Sequence, residues 1–187
     1  ARAALLGSIC VLVAVADTRR IDPAVGIGIN LARYPIRACD FIETNGIRGR
    51  GFNNFEYGGY QAWRFWPDRS RLPFIDVHQA GTTLDRKLYV GAFGSGEGWQ
   101  ALDDRRRFDY VLLTRVPETA SRLPDLLDAD TSWALVFVDD AAAVYVRRGG
   151  PLAGVAARFG YRYLPAGVGR LGPLGEACAR DSVLREA

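Results

Sequence analysis

The sequence predicts an α/β fold: a mixed, mostly parallel sheet flanked by helices as a three-layer sandwich and ending in an antiparallel β-hairpin. Three observations carry that expectation. Short β-rich apolar runs alternate with segments whose apolar residues recur at i, i+3 and i+4, the pattern of strands joined by helical crossovers. Late in the chain the alternation gives way to two apolar runs, Trp133 to Val138 and Ala143 to Val146, separated by Asp139-Asp140-Ala141, a hairpin signature. A chain of 187 residues, 49% hydrophobic and 24% charged, can bury about 70% of its unfolded surface, enough for a core without disulfide or metal staples.

The elements follow in order. The chain opens at Ala1 with an apolar run, Ala3 to Ala16, broken only by Gly7 and Ser8. As a helix this run spans about 21 Å, short of the ~30 Å of a full crossing, so a membrane reading makes residues 1–20 the end of a transmembrane helix severed from a larger parent. Arg2 and Ala14-Val15-Ala16 also fit a secretory signal, and Val11, Leu12, Val13 and Val15 suit a buried strand or helix; periodicity does not choose among the three. Val25-Gly26-Ile27-Gly28-Ile29 reads as a linker or short strand within a soluble domain expected over 21–165.

Regular structure starts at Tyr34-Pro35. Pro35 suits a first helical turn, Ala38, Phe41 and Ile42 share a face, and Asn45-Gly46 is a stop signal. A short strand follows over Gly49 to Asn53. Ala62, Phe65 and Trp66 repeat the helical spacing, with Gly58-Gly59 before them and Pro67 after. Leu72 to His78 reads as a buried strand bounded by turn residues. Thr82 or Thr83 caps a helix carrying Leu84, Leu88 and Ala92, and Gly94-Ser95-Gly96 turns into another with Trp99 and Leu102 on one face. Asp109 to Val116, with Tyr110, Val111, Leu112 and Leu113 nearly continuous, reads as a central strand covered on both faces. A short helix near Ser121 to Leu127 leads into the hairpin, a further helix covers Leu152 to Phe159, and residues 166–187 hold a loop and a last helix beginning near Gly175.

Charge excludes some functions. Of 24 basic residues only Lys87 is Lys, yet 21 acids leave a net charge of +3, too mild and too evenly spread for a nucleic-acid stripe. The one dense run, Arg105-Arg106-Arg107, follows Asp103-Asp104 and reads as a solvated helix face. Cys10, Cys39 and Cys178 include no C-x-x-C pair and read as small buried apolar side chains, with a single disulfide as the alternative.

Two constellations could carry chemistry. Asn54, Glu56, Tyr57, Gly58, Gly59, Tyr60 and Arg64 crowd a strand-to-helix junction, where free N–H groups and glycines allow close approach of an anion or polar ligand. The alternative is structural, with Glu56 favouring the helix dipole and the glycines permitting tight packing. Trp63 and Trp66 are assigned to the core. Asp76 and His78, two apart on the expected strand, point to one face near its C-terminal end, where open α/β sheets bind ligands. They read first as a hydrogen-bonded structural pair and second as a ligand site, since His78 is the sole His and no zinc set can be completed. Gly91 to Gly98 lacks the Lys of a P-loop and reads as a turn.

The order of these segments resembles a family. Tyr34-Pro35 opening a helix, Phe52-Asn53 before Tyr57-Gly58-Gly59-Tyr60, the run Pro73-Phe74-Ile75-Asp76, the Asp109 to Leu113 strand and the Trp133 to Arg147 hairpin look like the C-terminal soluble domain of bacterial polytopic membrane proteins of the C-type glycosyltransferase-like group. A more distant similarity is to the soluble domain of the oligosaccharyltransferase catalytic subunit, whose Trp-Trp-Asp-Tyr-Gly motif recognises the acceptor peptide. Here Asn54 and Phe55 stand where the two Trp would be, Glu56 stands for Asp, and Tyr57 and Gly58 match.

The resemblance implies an extracytoplasmic domain at the cell membrane, whose partners are the membrane half of the same parent and a lipid-linked sugar or polymer acceptor, with no nucleic acid. It implies that the catalytic carboxylates and any divalent metal belong to that membrane half, so no cofactor is expected in this chain and the substrate-binding set is Asn54, Glu56, Tyr57, Gly58, Gly59, Tyr60, Arg64, Asp76 and His78. Arg19-Arg20 would by the positive-inside rule favour the cytoplasmic side; two charges weigh less than the resemblance. A non-catalytic scaffolding domain and a free-standing secreted hydrolase using Asp76 and His78 are the alternatives.

Overall fold

The structure, a computed structural model, describes residues 33–79, 84–115 and 121–180. The chain divides at Leu31/Ala32, and the fold below belongs to the second unit. The expected membrane segment over 1–20 and the Gly-rich stretch 25–29 lie outside the described residues.

Four strands, β1 (Gly51–Asn53), β2 (Tyr110–Thr114), β3 (Trp133–Val138) and β4 (Ala142–Arg147), form one mixed sheet in the order β1-β2-β4-β3. Strand β1 runs parallel to β2, and β4 pairs antiparallel with both β2 and β3. The mixed sheet, flanking helices and terminal hairpin are as expected, but the sheet is not mostly parallel: a single pairing of the three is parallel. The reason is local. Leu72 to His78, expected as a further strand, never joins the sheet.

Period-two alternation sends side chains to two cores. Tyr110 and Leu112 of β2 and Ala142, Val144 and Val146 of β4 face one, and Val111, Leu113, Ala143 and Tyr145 face the other. The first is roofed by α1 (Ile36–Thr44), α2 (Gly58–Phe65) and α6 (Ala153–Phe159), the second by α3 (Leu84–Gly94), α4 (Gly96–Arg106) and α5 (Leu123–Ala129). In β3 the register slips between Leu135 and Phe137. This bulge turns Phe137 onto the same face as Val136, where it meets Phe41 of α1 at 5.3 Å, and Phe41 meets Phe159 of α6 at 5.3 Å. A final helix, α7, covers Leu171–Arg180, starting earlier than the expected Gly175.

Helices α3 and α4 cross at two glycines. Ser95 caps α4, its Oγ accepting the Gly98 N–H at 3.1 Å. A Cβ on Gly98 would lie 2.2 Å from the Gly91 carbonyl oxygen and 2.5 Å from its carbon, so backbone touches backbone at the crossing. A Cβ on Gly91 would meet the Gly98 Cα at 3.9 Å, an ordinary contact. Gly98→Ala should therefore destabilise the fold by about 1–3 kcal/mol in urea titration, as overpacking against rigid backbone does, while Gly91→Ala should be neutral or stabilise by up to about 1 kcal/mol through helix propensity. Equal effects of the two substitutions would contradict the crossing.

Candidate functional site

The candidate site starts from Asn53, whose side chain is fully buried at the end of β1. A buried carboxamide needs partners at both ends. Its Oδ1 accepts the N–H groups of Phe74 (2.7 Å) and Ile75 (3.3 Å), and its Nδ2 donates to the carbonyls of Ile75 (2.7 Å) and Asn54 (2.9 Å). The backbone groups that a strand over Leu72 to His78 would have offered to a ladder are thus taken by one side chain. Pro73 adds no N–H. The segment is irregular, with a bend at Phe74, up to Asp76, and a 3-10 turn over Val77–Gln79 follows.

The next residues close the junction. Asn54, 5% exposed, accepts the Thr114 N–H on its Oδ1 (2.8 Å), and its own N–H donates to the Leu112 carbonyl (3.2 Å). Its carbonyl accepts the Tyr57 N–H at 3.0 Å, starting the 3-10 turn Phe55–Tyr57. Phe55 donates its N–H to the Tyr89 hydroxyl at 2.7 Å. Tyr57 is 2% exposed and donates to the Ala141 carbonyl at 2.6 Å, with Thr114 Oγ1 3.1 Å from its hydroxyl. Asn54 and Tyr57, expected to contact substrate, are therefore structural pins. Burial pushes the Tyr57 hydroxyl from its ordinary 10.0 up to about 12.

Gly58 is where the two sequence-predicted clusters meet. A Cβ there would lie 2.3 Å from the Ile75 carbonyl oxygen and 2.7 Å from the Asp76 Cα and Cβ, so only glycine lets the 75–76 backbone lie against the start of α2. Around this contact Glu56, Gly59 and His78 are exposed and Asp76 is half-buried. Glu56 forms no hydrogen bond or ion pair among the described residues, and Gly59 faces open space. Asp76 Oδ1 accepts the backbone N–H of His78 at 2.9 Å. The bond joining this pair thus caps the 3-10 turn through the main chain and does not orient the imidazole as a shared strand face implied.

Tyr60 and Arg64 stand apart from that surface. Arg64 is spent on a clamp between helices, its Nη2 binding Asp40 of α1 at 3.2 Å and also Glu43, and those hydrogen bonds raise its pKa. Tyr60 is half-buried, which raises its pKa, and its ring lies between Tyr34 (5.6 Å) and Trp63 (5.7 Å). Trp63 and Trp66, assigned to the core by their spacing, are 69% and 71% exposed. The buried stripe of α2 is Gly58, Gln61 and Phe65, an i, i+3, i+7 series that leaves Trp63 off the core face. That series was legible in the sequence once Gln61 was admitted to the core: its Nε2 donates to the Tyr110 hydroxyl at 3.2 Å.

Cys39 is a free thiol, and Cys39 and Cys178 form no disulfide with each other. Cys39 is fully buried as expected, and desolvation pushes its thiol from 9.0 up to about 12. Among the described residues no group of three or more His, Cys, Asp or Glu side chains could hold a metal ion, and no helix is long and apolar enough to cross a membrane.

No protein-family model matches the chain, and no curated protein matches it. Among solved structures it is weakly similar to the C-terminal globular domain of the oligosaccharyltransferase from Archaeoglobus fulgidus, at 10% identity and a TM-score of 0.43, over 65% of this chain and 99% of that one. At that distance no residue role passes from one to the other.

Two measurements check this geometry. Iodide should quench the fluorescence of Trp63 and Trp66 and spare Trp99 and Trp133, which are 4% and 3% exposed; single Trp→Phe variants assign the fractions, and protection of Trp63 would contradict the placement. Because Cys39 and Tyr57 hold their protons to about pH 12 in the fold but release them near their ordinary values when unfolded, the unfolded state binds fewer protons in that window. Their contribution is complete below pH 9 and is lost as pH rises toward 12. Urea midpoints should fall with pH across that window, less steeply in Tyr57→Phe.

Proposed function

We propose that this chain is the extracytoplasmic soluble domain of a bacterial C-type glycosyltransferase-like membrane protein, and that it contributes acceptor binding through the surface formed by Glu56, Gly59, Asp76 and His78. The family assignment is supported by the order of segments from Tyr34-Pro35 to the Trp133 to Arg147 hairpin. One observation carries the site: the close contact of Gly58 with Ile75 and Asp76, which joins two polar clusters distant in sequence into one face. Of the residues aligned with the acceptor-recognition motif, Asn54 and Tyr57 pack inward and Glu56 faces outward, which narrows recognition to Glu56 and its neighbours. An exposed carboxylate and an exposed imidazole beside an open glycine can hydrogen-bond the hydroxyls or amides of a polymer acceptor. Catalytic carboxylates and any metal stay with the membrane half of the parent.

A second reading, a scaffolding domain that recruits another protein, is favoured by the exposed indoles of Trp63 and Trp66, since large exposed aromatic groups mark interaction surfaces.

The experiment is Glu56→Gln with His78→Asn in the full-length parent. Loss of charge-assisted hydrogen bonds of about 1.5–3 kcal/mol should reduce transfer by about tenfold or more while leaving the amount of folded protein unchanged. Unchanged turnover would overturn the site. If a Trp63→Ala/Trp66→Ala variant then lost a bound protein partner, the scaffolding reading would stand in its place.

A further inference from the structure

At the opposite edge of the sheet from Glu56 and Asp76, a cleft of about 590 Å³ opens between β3 and the loop that follows α6. This volume is that of a site for a small ligand. Leu127 of α5 and Leu135 of β3 give it an apolar floor, and its polar lining sets Arg148, Arg162 and Arg170 beside Asp128 and Asp130, with Tyr161 and Tyr163.

The wall carrying these groups is built. The Tyr161 N–H donates to the Leu135 carbonyl at 2.8 Å. The N–H groups of Gly167 and Gly169 donate to Asp128 and Asp125 of α5, each at 2.8 Å, and a Cβ on Gly167 would lie 2.1 Å from Asp125 Oδ1. The loop is therefore docked on α5 by main-chain bonds to carboxylates, at positions where a side chain would collide.

The acidic groups of the cleft, Asp128 and Asp130, are engaged by neutral donors and keep their negative charge. Asp128 accepts the Tyr145 hydroxyl at 2.8 Å on one oxygen and Gly167 on the other, and Asp130 accepts the Ser132 N–H at 2.8 Å. None of the three arginines forms an ion pair with a carboxylate among the described residues, so their guanidinium donors are not spent on the carboxylates beside them. Arg148 spends its Nε on the Trp133 carbonyl (2.9 Å) and Arg170 one Nη on the Asp128 carbonyl (2.7 Å), bonds that fix each side chain and use one donor of five. Arg162 lies over the Tyr163 ring at 5.2 Å.

We infer that this cleft binds an oxyanion carried on a body of sugar size, its phosphate or carboxylate received by Arg148, Arg162 and Arg170 and its body resting against the two tyrosines and the leucine floor. Guanidinium forks match both oxyanions in bidentate geometry, and two are held in place before the ligand arrives. The site is independent of the acceptor surface proposed above.

The test is titration of the 187-residue chain with glucose 1-phosphate, glucuronate, inorganic phosphate and neutral glucose, followed by calorimetry and amide chemical shifts. Glucose 1-phosphate or glucuronate should bind at least about tenfold more tightly than glucose, with shifts at residues 127–135 and 161–170 and with weakening as salt rises; the tighter of the two identifies the anion. Arg162→Gln, which removes no bond within the fold, should weaken binding about tenfold, and Arg158→Gln outside the cleft should not. Affinity equal to that of glucose, shifts confined to other residues, or wild-type affinity in both Arg162→Gln and Arg148→Gln would overturn the proposal.

Discussion

The hydrogen bonds of one buried side chain hold the β1 edge of this fold together. Strand β1 is three residues long and has a partner on one side, β2. Its outer side is covered by the 73–76 segment, and the cover is made by the Asn53 carboxamide with two accepted and two donated bonds. Each of those main-chain groups, if orphaned in the interior, would cost about 1–3 kcal/mol. The same bonds set the position of Phe74, whose ring meets Phe108 at 5.2 Å and receives the Arg106 guanidinium at 5.2 Å. They also bring Ile75 and Asp76 onto Gly58.

Tyr57 locks that edge to the hairpin. Its hydroxyl reaches the Ala141 carbonyl in the β3–β4 turn, and Asp139 organises the turn by accepting the N–H groups of Ala141 (3.0 Å) and Ala142 (2.8 Å). Arg115, just past β2, donates to the Asp139 carbonyl at 2.9 Å. The junction, the end of β2 and the hairpin turn therefore form one hydrogen-bonded unit. The backbone from which Glu56 projects is therefore tied to two other parts of the sheet.

Elements whose signal is local were legible in the sequence. The helix opened by Pro35, the helix capped by Ser95, and the hairpin around Asp139-Asp140 follow from spacing and turn chemistry, and the structure has all three. The junction at Glu56 to Gly59 and the segment at Asp76 were also legible as separate oddities, although what joins them was not. An apolar run bounded by Pro and Gly looks the same whether its backbone groups pair with a strand or with one carboxamide, and no pattern in residues 72–78 reports that Asn53 lies opposite. The exchange of roles between Tyr57 and Trp63 has a similar cause. Both are amphipathic aromatics that suit a core or a surface, and the inward face of α2 is taken by Gln61, whose Nε2 donates to the Tyr110 hydroxyl.

Charge is the other property that sequence averages conceal. A net charge of +3 suggests a neutral surface, yet the arginines fall into two populations once their partners are known. Arg147 binds both oxygens of Asp103 (2.8 and 2.6 Å) with its guanidinium over Trp133 at 4.4 Å, and Asp103 is 7% exposed. Arg105 and Arg106 clamp Asp85, joining α4 to α3, so the run keeps Arg105 and Arg107 exposed, as its composition implied, and also ties two helices together. Arg71 is buried between Asp68 and the Ile47 carbonyl. These uses need the planar, multi-donor fork that Lys lacks, and they consume acids in step with bases. Asp125 and Asp128 are used differently, receiving the amides of Gly169 and Gly167 in place of a guanidinium. Arg148, Arg162 and Arg170 are among the arginines with no carboxylate partner in the described residues, and the loop docked on those two carboxylates brings them to one cleft.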